Sequence, residues 1–457
     1  MASSRLAAAM FNRMDLLTCF VFLLVLGLTQ RLHLLPSVPL PEEFLSDAMI
    51  RPSGPVLGEE IARGPRRRLL EAPSQAEDRE AQRRMVRAAV ERWKKEQRAR
   101  DKREMNESMP DTQPPKGERY LLGPKITDWD EQRADYVRKH PGSNETRQGK
   151  PKVMLVTGSQ PGMCDNDVGD FLLLKSLKNK LDYCSPRDIQ IYYSTAILDR
   201  SMDSFWVKLP LLRKLMLSHA DVEWFWWMDS DAIFTDMTFD VPFETYEPHT
   251  HMVMHGYDSL VYGQKDWAGL NAGIYLIRNS QWSLDFMEDL AQFGVKGPMR
   301  DAAGVKLFKE LETRPMFEGD DQSAIVWLMV YHPEKYAKHI YLESKYQLHS
   351  FWPTVTGRYE ELMDKYHPGY GDHRWPLITH FVGCKPCGKI GVIEYEATQK
   401  CVENMERAFN FADNQVLRKF GYEHLHLDTF QVVKINFTTY KASEFDSHPL
   451  KYRQLGI

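Results

Sequence analysis

An excess of either charge is missing: 59 lysines and arginines against 63 aspartates and glutamates leave a formal net charge of -4 over 457 residues. A polyanion binder needs a basic surplus, so nucleic acid is not expected among the partners. Internal repeats are absent, which sets aside repeat arrays. Cysteine is sparse. Beyond Cys19 there are only Cys164, Cys184, Cys384, Cys387 and Cys401, enough for two disulfides with one thiol left over, and Cys164 with Cys184 makes a local pair. Cys384-Lys385-Pro386-Cys387 has no second Cys or His pair at zinc-finger spacing and no strand–helix start as in a thioredoxin, which disfavours zinc and redox roles. Long apolar runs are nearly missing as well. The one candidate, Leu16 to Thr29, is shorter than the ~20 residues of a comfortable membrane span.

That run still has a direction. Arg5 and Arg13 precede it, and no small-x-small cleavage site follows in QRLHLLPSVPLP. An uncleaved signal anchor at 16–30 is expected, with 1–15 as a cytosolic tail; a cleaved signal peptide is the competing reading. Residues 31–116 are rich in Pro, Arg, Glu and Ala and poor in aromatics, which predicts a stem, partly disordered or helical, with a mixed-charge helical stretch over 77–104. Three N-x-S/T triplets, at Asn106, Asn144 and Asn436, are glycosylation candidates that agree with a secretory route.

From 117 to 457 the composition is globular. Lys152–Thr157, Ile189–Tyr193 and Val222–Met228 (VEWFWWM) are apolar enough for buried strands, and Phe171–Lys180 and Phe205–His219 suit helices. Strand, helix, strand, helix, strand predicts a parallel α/β sheet, with ligands beyond the strands' carboxyl ends.

Chemistry-bearing residues fall there. Asp229 and Asp231 follow the most hydrophobic strand, flank Ser230, and as i and i+2 in extended backbone converge on one face. Two converging carboxylates are costly unless a cation neutralises them, and a divalent ion on a diphosphate offsets both charges. A polar turn capping the strand is the alternative. Gly269-Leu270-Asn271-Ala272-Gly273 lets a substrate approach the backbone, with the Asn271 amide on a hydroxyl, or is a plain turn. Phe317–Ser323 opens an amphipathic helix running through Val330. Asp320 and Asp321 there serve either as helix caps or as carboxylates near an anomeric carbon. His380, at a predicted strand end, is either a third ligand, in a set suited to Mn²⁺, or a packed histidine; Lys385 is placed to neutralise a phosphate.

Together these segments resemble one family. From Leu122 to Arg418 the blocks VTGSQPGMC, FWVKLPLLRKLMLSH, WWMDSDAIFTDM, LNAGIYLIRNSQWSLDFM, DDQSA and GDHRWPLITHFVGCKPCG are similar to plant xyloglucan α-1,6-xylosyltransferases and their galactomannan galactosyltransferase relatives. The resemblance implies a GT-A type, Rossmann-like α/β glycosyltransferase domain behind a single N-terminal anchor and stem. It also implies a type II Golgi membrane protein with a luminal catalytic domain, a retaining mechanism, UDP-xylose as donor, a β-1,4-glucan acceptor and Mn²⁺.

By the same motifs, Asp229, Asp231 and His380 are implied as metal ligands, and Gly158, Ser159 and Lys208 as part of the nucleotide pocket. Gly383 and Lys385 face the diphosphate, Asn271, Asp320, Asp321 and Gln322 form the donor-sugar and catalytic neighbourhood, and His349 lines the acceptor cleft. Ser185-Pro186-Arg187-Asp188 departs from the family pattern, and Ala272 matches the galactosyl relatives, where xylosyltransferases often carry Thr. Three other functions compete: a UDP-galactose enzyme acting on β-mannan, a catalytically weak scaffold in a Golgi complex with related transferases, and a secreted lectin-like binder.

Overall fold

The structure, a computed structural model, describes residues 121–385, 387 and 395–435. The expected anchor and stem, the 77–104 stretch, Asn106 and Asn436 lie outside the described residues. Among the described residues no helix is long and apolar enough to cross a membrane.

Helix α1 (Trp129–Lys139) leads into strand β1 (Val153–Gly158). Helix α2 (Asp167–Cys184) starts where the Asn166 side chain accepts the Gly169 N–H at 2.8 Å, an N-cap that satisfies a free helix donor. Strand β2 (Gln190–Ser194), helix α3 (Lys208–Ser218) and strand β3 (Trp224–Met228) complete the alternating unit, with β2 and β3 both parallel to β1. Phe205–His219 is not one helix: Ser204–Val207 forms a 3-10 turn, and the α-helix begins only at Lys208. Pro210 then falls in the first turn, where a missing N–H costs nothing.

Strands β4 (Ala232–Phe234), β5 (Met252–Gly256) and β6 (Leu270–Arg278) follow, then helices α4 (Gln281–Ala291), α5 (Pro298–Glu310) and α6 (Asp321–Tyr331). Strands β7 (Ile340–Glu343), β8 (Ser350–Phe351) and β9 (Ile378–His380) precede the long helix α7 (Tyr395–Leu417) and a hairpin of β10 (Tyr422–His424) with β11 (Val432–Lys434). The main sheet runs β2-β1-β3-β6-β5-β7. It is parallel across β2-β1-β3, but β6 is antiparallel to both β3 and β5. A small second sheet, β4-β9-β8, brings His380 beside Ala232.

Side chains of β1 and β3 alternate between two apolar clusters. Met154, Val156, Phe225 and Trp227 enter one; Val153, Leu155, Trp224, Trp226 and Met228 enter the other. Both faces of these strands are covered, which is why their sequence is continuously apolar. Helix α6 is buried on nearly all sides rather than amphipathic, and it starts at Asp321 rather than at Phe317.

The disulfides join Cys164 to Cys387 and Cys384 to Cys401, leaving Cys184 as a buried free thiol. The expected Cys164–Cys184 pair is therefore wrong. The two residues stand at opposite ends of α2, whose 18 residues span roughly 27 Å, whereas a disulfide joins Cα atoms no more than about 7 Å apart. The remaining expectation, two disulfides and one thiol left over, matches the observed pairing.

Candidate active site at the strand ends

β1 and β3 stop side by side, and the chain turns there. At Gly158 a Cβ would lie 2.2 Å from the Ser194 carbonyl oxygen, so only glycine lets β1 close on β2 while the Ser159 N–H bonds that same oxygen at 3.0 Å. A cavity of about 490 Å³ opens here, lined by Gly158, Ser159, Lys208, Asp229, Ser230, Asp231 and Lys385 of the expected residues. Gln160, Leu172, Phe205, Trp227 and Met405 complete much of its wall without having been singled out in the sequence. Gly383 takes a φ of +87°, turning the chain ahead of Lys385, which is exposed at the cavity. Both disulfides reach this segment, one through Cys384 and one through Cys387.

At the cavity floor, ligand atoms of Asp229, Asp231 and His380 lie within 4.8 Å of one another. His380 Nε2 is 3.2 Å from Asp231 and 3.8 Å from Asp229. Pairing of β4 with β9 places the histidine there, and Gly273 leaves it room: a Cβ at 273 would sit 2.3 Å from His380 Cε1 and 2.7 Å from an Asp229 oxygen. Two carboxylates and an imidazole, drawn together beside a glycine that keeps the space open, fit a divalent cation. Trp227 Nε1–H donates to Asp229 Oδ1 at 2.7 Å and orients it, a role hidden in the sequence because an aromatic strand residue reads as core.

Lys208 joins this floor to α6. Its buried ammonium is 2.7 Å from Asp321, 3.9 Å from Asp229, and donates to the Ala272 carbonyl at 2.9 Å. Burial alone would lower the lysine, but Asp321 and Asp229 outweigh it and raise it above its usual value. Burial pushes the Asp321 carboxyl up to about 6 against the pull of Lys208. His380 follows the lysine's pattern: burial lowers it, and Asp231 with Asp229 reverse the sign. Three carboxylates around one ammonium leave the floor net negative at neutral pH, a setting that attracts a cation.

The other expected residues divide. Asp320 is the N-cap of α6, accepting the Ser323 N–H at 2.8 Å, and it pairs with the fully buried Arg314 at 2.9 Å. The Gln322 amide is also committed, donating to the Trp267 carbonyl at 3.0 Å and accepting the Ala272 N–H at 3.3 Å. Asn271 sits within β6, not in a turn; its oxygen accepts the Gly273 N–H at 3.0 Å, leaving the amide nitrogen as a donor. Ala272 packs in the core cluster with Leu209, Tyr275 and Ala324.

His349 lies edge-on to His380 with ring centroids 5.1 Å apart, and 5.9 Å from His255 on its other side. Burial, with both neighbouring imidazoles adding to it, holds His349 well below its usual value, and its Nε2 is buried without a partner. Asn144 is half-buried in the turn ahead of β1.

An α/β sheet carrying a cation-competent carboxylate–imidazole set beside a cavity fits a group-transfer enzyme, and comparison narrows the class. Residues 149–391 match the galactosyl transferase GMA12/MNN10 family, and the chain belongs to that family of glycosyltransferases. Similar curated proteins include "Probable xyloglucan 6-xylosyltransferase 1" of Oryza sativa subsp. japonica, 52% identical over 74% of this chain and 73% of that protein. "Xyloglucan 6-xylosyltransferase 2" of Arabidopsis thaliana is 50% identical over 78% of this chain and 74% of its own length. "Xyloglucan 6-xylosyltransferase 1" of the same plant is 54% identical over 68% and 67%. A solved glycosyltransferase involved in glycosylating the major capsid of PBCV-1 aligns over 56% of this chain and 99% of that one. Its TM-score of 0.35 and 13% identity carry no inference.

Proposed function

We propose that the chain transfers xylose from UDP-xylose, in α-1,6 linkage, to a β-1,4-glucan, building xyloglucan side chains on a GT-A type domain. The observation that carries this reading is identity of 50–54% with xyloglucan 6-xylosyltransferases across two thirds or more of the chain. Convergence of Asp229, Asp231 and Lys208 on one cavity, with His380 against both aspartates, supports it.

A divalent cation held by Asp229, Asp231 and His380, expected to be Mn²⁺, would supply Lewis-acid charge to the leaving diphosphate. Lys385, lining the same cavity, meets phosphate, and Gly158 with Ser159 receive the nucleotide. Lys208 fixes Asp321 against Asp229, so that one buried carboxylate faces the sugar while Asp320 and Gln322 hold the start of α6 in place. The Asn271 amide donates to a sugar hydroxyl, and the neutral His349 imidazole to the acceptor.

Transfer with retention breaks the bond from the sugar C1 to phosphate oxygen and forms one from the acceptor O6 on the same face. The acceptor proton passes to the departing phosphate, so no covalent enzyme intermediate is required. The test is kcat/KM for UDP-xylose and UDP-galactose on cello- and manno-oligosaccharides. UDP-xylose on the glucan is expected to lead; faster galactose transfer to mannan would overturn the assignment, and no turnover with any pair would favour a scaffold.

The same reading places the protein in the Golgi membrane as a type II protein. Residues 1–15 are cytosolic, 16–30 the anchor, 31–116 the stem and 117–457 the luminal transferase, glycosylated at Asn106, Asn144 and Asn436 and associating with related transferases. Glycosidase treatment should increase gel mobility, and protease added to sealed vesicles should spare the body; digestion there would sink the topology.

A further inference from the structure

Helix α2 turns three polar side chains, at i, i+3 and i+4, onto the backbone that carries Asp231. Ser176, Asn179 and Lys180 are all almost fully buried. Ser176 Oγ donates to the Ser230 carbonyl at 2.6 Å, and Lys180 Nζ donates to the Ala232 carbonyl and to Ser176 Oγ, both at 2.7 Å. Asn179 grips the strand beyond, its Nδ2 donating to the Phe234 carbonyl at 2.9 Å and its Oδ1 accepting the Phe234 N–H at 2.8 Å. The carbonyls on either side of Asp231 are therefore held from one helix.

Packing alone does not account for this. β4 already has a partner in β9, and a methionine would fill the Lys180 site without the cost of desolvating an amine. A residue that costs desolvation and is used to hold the first carbonyl of β4, next to Asp231, points to a demand for a defined geometry there. Those two bonds hold the backbone on both sides of Asp231, and with it the point from which the carboxylate projects.

We propose that Ser176 and Lys180 are positioning residues for cation binding. Together they fix the backbone from which the Asp231 carboxylate projects, and with it the spacing of the Asp229–Asp231–His380 set, while Asn179 anchors the strand behind. This rests on the cation reading given above.

The test is a Mn²⁺ titration of the purified full-length protein, following the electron paramagnetic resonance signal of free Mn²⁺, which needs no turnover. Lys180→Met is expected to weaken Mn²⁺ binding roughly tenfold or more, as loss of outer-shell partners does, and Ser176→Ala by a smaller factor. KM for the glucan acceptor should stay within about twofold of wild type, because the clamp acts on the cation site alone. A folded Lys180→Met that binds Mn²⁺ as the wild type does would overturn the proposal. If Lys180→Met fails to fold, Ser176→Ala decides: it removes one oxygen, and unchanged affinity there overturns the proposal equally. Wild-type protein that leaves the Mn²⁺ signal untouched would overturn the cation reading itself, an outcome distinct from failure of the clamp.

Discussion

Asp229 and Asp231 leave the end of a strand with their side chains 33% and 25% exposed, whereas Asp320 and Asp321 open a helix with 6% and 9%. Ser230 and Asp231 form a turn, closed by the Ala232 N–H on the Asp229 carbonyl at 3.2 Å, rather than the extended backbone expected, and this turn brings both carboxylates to His380. Adjacent residues at a helix start splay instead. Asp320 faces Arg314 and caps the helix, while Asp321 faces Lys208 at the cavity. Two acidic pairs thus have different economies: one draws two carboxylates up to an imidazole, the other divides its charges between two buried cations.

The largest effect that would test this contrast is on stability. Asp320→Ala leaves Arg314 buried without its partner and removes the cap, and should destabilise the fold by about 3–5 kcal/mol, read as a large fall in Tm. A variant that melted like the wild type would undo the structural half of the comparison. Asp229→Ala or Asp231→Ala should do the reverse. Transfer is expected to fall at least about 100-fold, close to 2.7 kcal/mol in kcat/KM, while Tm holds or rises because a repelling carboxylate is gone. Retained transfer in the presence of a chelator would break the functional half.

The smallest and finest effect concerns pH. Burial lifts the folded Asp321 carboxyl to about 6, above the usual carboxylate range. The stability it contributes is therefore complete below about pH 4 and is lost as pH rises through about 6. Asp321→Asn removes that decline, so its Tm relative to wild type should climb between pH 4 and pH 7. A difference flat across that window would mean that Lys208 cancels the burial of Asp321 entirely.

Although the backbone between Asp229 and Asp231 is a turn and not the extended run expected, reading the residues in order reached both because an all-apolar strand ends just before them. The same holds for β1, β2 and β3, whose ends lie within a residue or two of expectation. His380 stood out as a strand-end candidate, but local pattern left it open between ligand and packed histidine, since it arrives beside Asp231 only through the pairing of β9 with β4, 149 residues away. Asp320 was ambiguous because its commitment depends on Arg314, which no helical or strand spacing connects to it. The antiparallel insertion of β6 next to β3 lies beyond local pattern, because a buried apolar strand reads the same in either direction.

Cys164 and its partner are separated by 223 residues. At the ~5–20 residues per second of ribosomal synthesis, the first thiol waits roughly 10–45 s for Cys387 to appear. Cys184 arrives after only twenty residues, so the wrong partner is the one on offer first. What removes it is the helix between them together with burial of Cys184 beside Tyr183 and Trp226. An α2 that docked on the sheet before Cys387 emerged would hold the two thiols apart and so guard the cavity wall during synthesis. Variants that slow this docking should accumulate a short-range cystine, and with it an enzyme lost to misoxidation rather than to any defect in its finished site.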